Sequence, residues 1–370
     1  MSDPVETAGR LRRAAAAAAE AGLDALLVTP GPDLTYLCGY DAVALERLTC
    51  LLLPAVGDPS IVVPLLEAPA AAASPIGALG LAIHSWAETD DPYARVAALL
   101  PSASAVGLDD RMWAAKVLAL REAMPGVQQR RAGPVIGQLR MRKTDAEVAA
   151  LRAAGAAIDA VHALMGQWLV PGRTEREVGA DIAEAILATG HRSVDFVIVA
   201  SGPNGASPHH EVSDRVIDRG EAVVVDIGGT MPSGYCSDST RVYATGSPDG
   251  QFLAAYQVLQ AAQDAACSWA RPGVSCASVD AAARQVIDAA GYGKLFIHRT
   301  GHGIGLETHE DPYIVTGNEL LLEPGMAFSV EPGIYLPGRF GARIEDIVVC
   351  TQTGAERLNH RPRELVVLEG

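Results

Sequence analysis

The sequence predicts an α+β protein, in which a C-terminal domain of helices covering a mainly antiparallel sheet follows a smaller α/β domain. Three observations carry this. The chain has 370 residues, enough for two domains with separate cores. Strand-like runs are interleaved with helical ones over roughly the first 135 residues. Beyond them the order becomes helix, helix, strands, helix, helix, strands, which hints at an internal duplication too diverged to show as sequence identity. The expected domains are 1–137 and 138–370.

Taken in order, Thr7 to Ala21 is Ala-rich and suits an amphipathic helix. Asp24 to Val28 reads as a short buried strand ended by Pro30-Gly31-Pro32. Further strands are expected at Cys50 to Leu53, Ser60 to Val63, Leu81 to His84 and Ala105 to Leu108, with helices at Pro92 to Leu100 and Met112 to Ala123. Turn formers and charge at Arg130-Arg131-Ala-Gly133-Pro134 mark a boundary. Thr144 followed by Glu147, and Thr174 followed by Glu177, are capping-box patterns that open helices reaching Val170 and about Thr189. Strands follow at Phe196 to Ala200, Ala222 to Asp226 and Thr240 to Ala244. Helices at Ser247 to Ala270 and Ser278 to Ala290 precede the strands Ala327 to Glu331 and Ala342 to Val349.

Charge and composition narrow the function. With 29 basic against 44 acidic side chains the formal net charge is −15, which disfavours nucleic acid as a partner because phosphate binding needs clustered Lys and Arg. Six scattered cysteines form no CxxC pair and read as buried thiols of a reducing compartment. Arg10 to Arg13 followed by six alanines imitates a signal peptide, but Glu20 and Asp24 break the apolar run. No uncharged apolar stretch approaches the 18 or so residues of a membrane span. A cytoplasmic location without membrane contact is expected.

The chemistry concentrates late in the chain. Five of the nine histidines, His209, His210, His298, His302 and His309, fall between residues 209 and 309. The run Val223 to Asp226, a glycine-containing turn and a returning strand with Asp238 would set two carboxylates side by side on a hairpin. His298, His302 and His309 stand in a glycine-rich stretch, where glycines let backbone crowd a ligand. Glu331 and Glu345 each sit in or beside apolar runs, where an unpaired charge is costly to bury. A cation is the obvious compensation. Asp226, Asp238, His302, Glu331 and Glu345 supply four carboxylates and one imidazole, a donor set for Mn, Co, Fe or Zn and wrong for a thiolate zinc site. Four negative charges balance two divalent cations, and a water shared by two metals is acidified toward hydroxide near neutral pH.

In these motifs the chain resembles the creatinase/aminopeptidase "pita-bread" metallopeptidase family, and most closely its proline-specific branch of Xaa-Pro dipeptidases (prolidases) and aminopeptidases P. The resemblance covers Gln138 to the end; the N-terminal domain matches in size and α/β character. It implies a pita-bread catalytic domain with two divalent ions per chain, first Mn, then Co, Zn or Fe. Asp226 would hold one ion, His302 and Glu331 the other, and Asp238 and Glu345 would bridge both. Asp226 and Asp238 are 12 residues apart, one more than the family's usual spacing. Asp238 is aligned because Ser-Thr-Arg follows it, with the extra residue placed in a Gly228 to Tyr235 turn. By the same resemblance His209 is a substrate-side histidine with His210 as the weaker candidate, and His309 contacts the scissile carbonyl. Glu331 would carry a proton to the leaving nitrogen. His298 and Arg343 would line the pocket for proline and its carboxylate, with Tyr335 behind them.

The implied activity is hydrolysis of Xaa-Pro bonds, most simply in dipeptides. A Xaa-Pro bond has no N–H, so a groove that reads this donor cannot grip it. Aminopeptidase P action on longer peptides and other amide hydrolysis on the same fold are the alternatives. Relatives are commonly homodimers, and short proline-containing peptides are the expected partners. Asp226-Ile-Gly-Gly-Thr230 also resembles the phosphate loop of actin-like sugar kinases, but that reading leaves His302, His309, Glu331 and Glu345 without use. A non-catalytic binding module or a metal-free amidinohydrolase is disfavoured by the intact ligand set.

Overall fold

The computed structural model describes residues 4–368. The chain divides into two compact units, Met1–Arg140 and Met141–Gly370. In the first, six strands form one sheet in the order Ala82–Trp86, Ser60–Pro64, Cys50–Pro54, Ala25–Val28, Ala105–Leu108, Gln128–Arg131, with parallel and antiparallel neighbours mixed. Leu27, Leu52, Val62, Val106 and Leu120 form part of its buried core. Besides the short helices Ala68–Ala73 and Pro75–Ala78, which are not expected, the structure departs from the sequence expectation at two prolines. Pro30-Gly31-Pro32 ends the strand but also opens a helix, Pro32–Cys38, because proline at a first helical position gives up no needed N–H. The supposed turn at 130–134 is the strand Gln128–Arg131 followed directly by the helix Gly133–Met141, with Pro134 in its first turn.

The second unit is an α+β domain built as two similar halves. Helices Asp145–His162 and Glu175–Ala188 pack with the antiparallel strands Ser193–Ser201, Ala222–Thr230 and Cys236–Ala244. Helices Gly250–Trp269 and Cys276–Ala289 pack with a sheet ordered Glu310–Ile314, Gly301–Gly303, Ala327–Val330, Asp346–Cys350, Ala355–Arg357. The halves share a backbone pattern. Gly172 N bonds Ile217 O at 2.9 Å, and Gly273 N bonds Leu322 O at 2.9 Å. Glu175 N bonds Arg215 O at 3.0 Å, and Cys276 N bonds Leu320 O at 2.9 Å. The cap residues Thr174 and Ser275 bridge Val216 and Leu321 in the same way.

Both expected capping boxes are present, with Thr144 and Thr174 accepting from the N–H of Glu147 and Glu177. The first of these helices stops at His162 rather than continuing to Val170, and a short turn, Met165–Trp168, follows. By length and composition Asp145–Trp168 could cross a bilayer. Its Glu147, Asp159 and His162 are buried against protein partners, as in a core helix. The expected strand Ala342 to Val349 is two strands, Phe340–Arg343 and Asp346–Cys350, broken at Ile344–Glu345. All six cysteines are buried free thiols.

Candidate metal centre

The Ala222–Thr230 and Cys236–Ala244 strands decide which aspartates meet. Their register pairs Asp226 with Thr240 and Gly228 with Asp238, so Asp226 and Asp238 are diagonal neighbours on one face. Ser237 pairs with Gly229 on the opposite face, where its hydroxyl meets His191 Nε2 at 2.8 Å. The hairpin turn is Met231 to Tyr235, since Gly228 to Thr230 lie in the paired strand; a turn from Gly228 is therefore corrected. Gly228 is required there because a Cβ would collide with the Phe196 ring and approach Ser237 O at 2.6 Å.

From the other half, Val330 pairs with Asp346, so Glu331 and Glu345 flank that pair at adjoining strand ends. Glu345 N donates to Thr240 O at 3.2 Å and joins the two sheets at the site. His302 sits between Gly301 and Gly303, whose missing side chains let the backbones of Ser329 and Asp311 close in. His302 Nδ1 faces Gly303 O at 3.1 Å, which assigns a proton to Nδ1 and turns Nε2 toward the carboxylates. That Nε2 lies 3.2 Å from Glu331 Oε1 and 3.6 Å from Asp238 Oδ2.

Four carboxylates and one imidazole thus converge. Ligand atoms of Asp238, His302 and Glu345 all lie within 4.8 Å of one another. Asp226 Oδ1 and Glu345 Oε1 are buried without a hydrogen-bond partner. Burial, with Glu345, Asp226 and Glu331 close by, pushes the Asp238 carboxyl well above the usual range; burial with Glu331 and Asp226 does the same to Glu345. Burial would raise Glu331 too, but contact with His302 and the charges of His298 and Arg343 hold it low. An imidazole nitrogen aimed at clustered carboxylates, beside orphaned carboxylate oxygens, is the arrangement a divalent cation relieves.

The site opens on a cavity of about 870 Å³ lined by His209, His210, His298, His302, His309, Arg343 and the four carboxylates. Every residue named from sequence therefore reaches it except Tyr335, which is buried behind the wall. The Tyr335 hydroxyl is 2.8 Å from both His298 Nε2 and Arg343 Nη1. Arg343 is itself buried, and its five N–H groups all have protein acceptors: Asp226 Oδ2, Tyr335, Thr240 Oγ1 at 3.1 Å, and Pro208 O at 3.3 and 3.4 Å. His210 Nε2 turns from the cavity to Glu175 at 2.7 Å. His309 packs edge-on against His302, ring centroids 4.0 Å apart. Burial, with His302 and Arg299 close by, lowers its pKa to about 4.

Sequence reading missed Thr240, whose hydroxyl donates to Glu345 Oε2 at 2.9 Å, and Ser329, which donates to Glu331 Oε1 at 3.1 Å. Each stands two residues from a candidate ligand on the same strand face, and that alternation was the available signal.

The model of metallopeptidase family M24 matches residues 149–352, and that of the creatinase/prolidase N-terminal domain matches residues 10–142. A probable dipeptidase PepE of Mycobacterium tuberculosis is 56% identical over 362 residues, covering 98% of this chain and 96% of that one. An Xaa-Pro dipeptidase of Lactobacillus delbrueckii is 36% identical over 360 residues, covering 94% of this chain and 96% of that one. The crystal structure of dipeptidase PepE from Mycobacterium ulcerans superposes with a TM-score of 0.96 at 55% identity, covering 100% of both chains. Sequence, fold and the converging carboxylates agree: the chain belongs to metallopeptidase family M24, with a creatinase/prolidase N-terminal domain ahead of a pita-bread catalytic domain.

Proposed function

We propose that this metallopeptidase hydrolyses Xaa-Pro dipeptides, with two divalent cations, Mn first among them, held by Asp226, Asp238, His302, Glu331 and Glu345. The observation that carries the reading is the buried cluster itself, where Asp226 Oδ1 and Glu345 Oε1 lack any partner and His302 Nε2 points at Glu331 and Asp238. When bound, such ions act as Lewis acids that polarise the scissile carbonyl and acidify water.

The remaining work falls to side chains. Glu331, braced by Ser329, is the proton carrier between attacking water and departing proline nitrogen. His309, neutral at physiological pH by its lowered pKa, can donate an N–H to the oxygen on which charge develops. His209 faces the substrate from the opposite loop, and His210 steadies that loop. His298 and Arg343, linked through Tyr335, form the wall for the proline carboxylate; its oxygens would replace Pro208 O, which makes the longest of the Arg343 bonds. The cavity size suits a small ligand. The proline preference is supported by the name of the Lactobacillus relative, whereas the Mycobacterium relatives are named dipeptidases without one.

The test is hydrolysis of Ala-Pro and Ala-Pro-Ala side by side, after metal is stripped by a chelator and Mn or Co restored. Cleavage of the dipeptide alone is expected. Preference for the tripeptide would move the activity to an aminopeptidase P, and failure to cut either by a metal-loaded chain would refute the proline reading.

A further inference from the structure

Each half of the catalytic unit holds a fully buried carboxylate, outside the metal cluster, that ties down a histidine-bearing segment. In the first half it is Glu175, at the first position of its helix. Glu175 Oε1 accepts from Ser201 N at 2.8 Å, Ser201 Oγ at 2.7 Å and Asn204 Nδ2 at 3.0 Å. Its Oε2 accepts from Ser213 Oγ at 2.6 Å, His210 Nε2 at 2.7 Å and Asn204 Nδ2 at 3.1 Å. In the second half it is Asp280, in the corresponding helix. Asp280 Oδ1 accepts from Thr300 N at 3.1 Å and Thr300 Oγ1 at 2.7 Å, and Oδ2 accepts from Thr316 Oγ1 at 2.7 Å. Arg284 closes the set, bonding both Asp280 oxygens and reaching His298 O at 2.9 Å and Phe296 O at 3.2 Å.

The two arrangements do the same job by the same means. Each carboxylate grips the N–H and the hydroxyl of one residue, Ser201 or Thr300, and a second hydroxyl beyond the histidines, Ser213 or Thr316. Between those grips lie histidines that line the cavity, His209 and His210 in one loop, His302 in the strand Gly301–Gly303 and His309 in the loop after it, with His298 just before Thr300. Ser207 to Ser213 belong to no helix or strand, so Glu175 supplies much of what fixes them. The carboxylates do not occupy equivalent positions: Thr174 and Ser275 cap the two helices alike, yet Glu175 directly follows its cap and Asp280 stands a turn later. An inherited residue would keep its place; two different positions reaching one arrangement point to a shared mechanical need.

We propose that Glu175 and Asp280 are paired positioning residues, each clamping the histidine-bearing segment of its own half against the metal cluster. Burial raises the Glu175 carboxyl, but the Ser213, Ser201 and His210 donors outweigh it and keep it ionised, as six hydrogen bonds to one carboxylate require. Burial likewise opposes the charge on Asp280, and Arg284 with the two threonine hydroxyls outweighs it.

The test uses full-length, Mn-loaded enzyme and the variants Glu175→Gln and Asp280→Asn, read by Ala-Pro kinetics, bound metal per chain and peptide-resolved amide exchange. The kinetic arm rests on the dipeptidase reading; the exchange arm does not. With metal content unchanged, Glu175→Gln is expected to lower kcat at least tenfold through His209, and Asp280→Asn to raise KM at least tenfold through His298. Amide exchange should quicken at least tenfold in 202–213 for the first variant and in 298–316 for the second, each leaving the other segment within twofold. Exchange rising equally in both segments, or kinetics within threefold of wild type, would overturn the proposal. Should either variant not fold, Ser213→Ala and Thr316→Val each remove one donor and must give the same segment-specific exchange. If wild type does not cut Ala-Pro, the dipeptidase reading falls and the exchange pattern alone decides this one.

Discussion

Thr240 binds nothing in the proposed reaction, yet its hydroxyl donates to Glu345 Oε2 at 2.9 Å while accepting from Arg343 Nε at 3.1 Å. It therefore orients a proposed carboxylate ligand and a guanidinium at once. Thr240→Val keeps the shape and removes both bonds, so metal affinity or activity should fall by about 10- to 100-fold, as for other groups that orient ligands. Thr240→Ser should recover most of it. Equal losses in both variants, measured by metal titration and Ala-Pro turnover, would show that the methyl group matters and the hydroxyl does not. Tyr335→Phe tests the wall in the same manner: it leaves Arg343 Nη1 and His298 Nε2 facing an apolar ring. A buried group so orphaned costs about 1–3 kcal/mol, and a loss of about tenfold in kcat/KM is expected, with bound metal unchanged. The carboxylates were legible in the sequence because charge inside apolar runs demands a partner, and His298, His302 and His309 because they stand in a glycine-rich stretch. Thr240, Ser329 and Glu175 were not, because a hydroxyl on a strand or an acid at a helix start has an ordinary use that hides the special one.

At the scale of elements, helix starts were the most legible feature, since a capping box writes both partners into the sequence. Breaks in apolar runs were the least. Nothing in Ala342 to Val349 announces that Ile344–Glu345 leaves the strand, because the break is made by Glu345 turning to Thr240 on another chain segment. Close approach was half legible: glycines flanking His302 signalled crowding, and the structure supplies the crowding atoms. Gly303→Ala would drive a Cβ into Asp311 and Glu310 backbone, which cannot shift like a side-chain tip. A loss of about 1–3 kcal/mol or more is expected, with bound metal reduced because His302 is adjacent. An unchanged melting temperature and metal content would contradict that packing. The docking of helix Asp145–His162 carries a pH dependence. His162 is buried between the Tyr243 hydroxyl and Ser239 O, and burial, aided by Arg241, lowers its pKa to about 3. The unfolded chain, with an ordinary histidine near 6.5, binds the extra proton between these values. Its contribution is thus complete above about pH 6.5 and is lost as pH falls toward 3, by about 1.4 kcal/mol per unit. The stability advantage of wild type over His162→Gln should shrink by about 2 kcal/mol between pH 7.5 and pH 5; a constant difference in urea unfolding would refute it.

Across the whole molecule, a net charge of −15 and four converging carboxylates, three of them buried, set the same problem at two distances. The surface charge is screened by salt within about 10 Å, but the buried cluster is not. The two halves of the catalytic unit each bring part of that cluster, Asp226 and Asp238 from one sheet, His302, Glu331 and Glu345 from the other. Among the described residues no lysine or arginine side chain pairs with the carboxylate of Asp238 or Glu345 in either half, so a cation held by both halves, as the proposed function requires, would be a clasp on the fold as well as a reagent. Two consequences can be measured. Chelation should lower the melting temperature, because the carboxylates must then take up protons or repel one another. Restoring Mn should raise stability in proportion to the logarithm of free metal, by about 1.4 kcal/mol for each tenfold step above the dissociation constant at a single site, and by more if both ions are released on unfolding. For a unit of this size that is a few degrees per step. The steeper dependence would mean that the bridging carboxylates act together, whereas a melting temperature indifferent to metal would mean that protons, shared between Asp238 and Glu345, already satisfy the cluster and that the cation serves the chemistry alone.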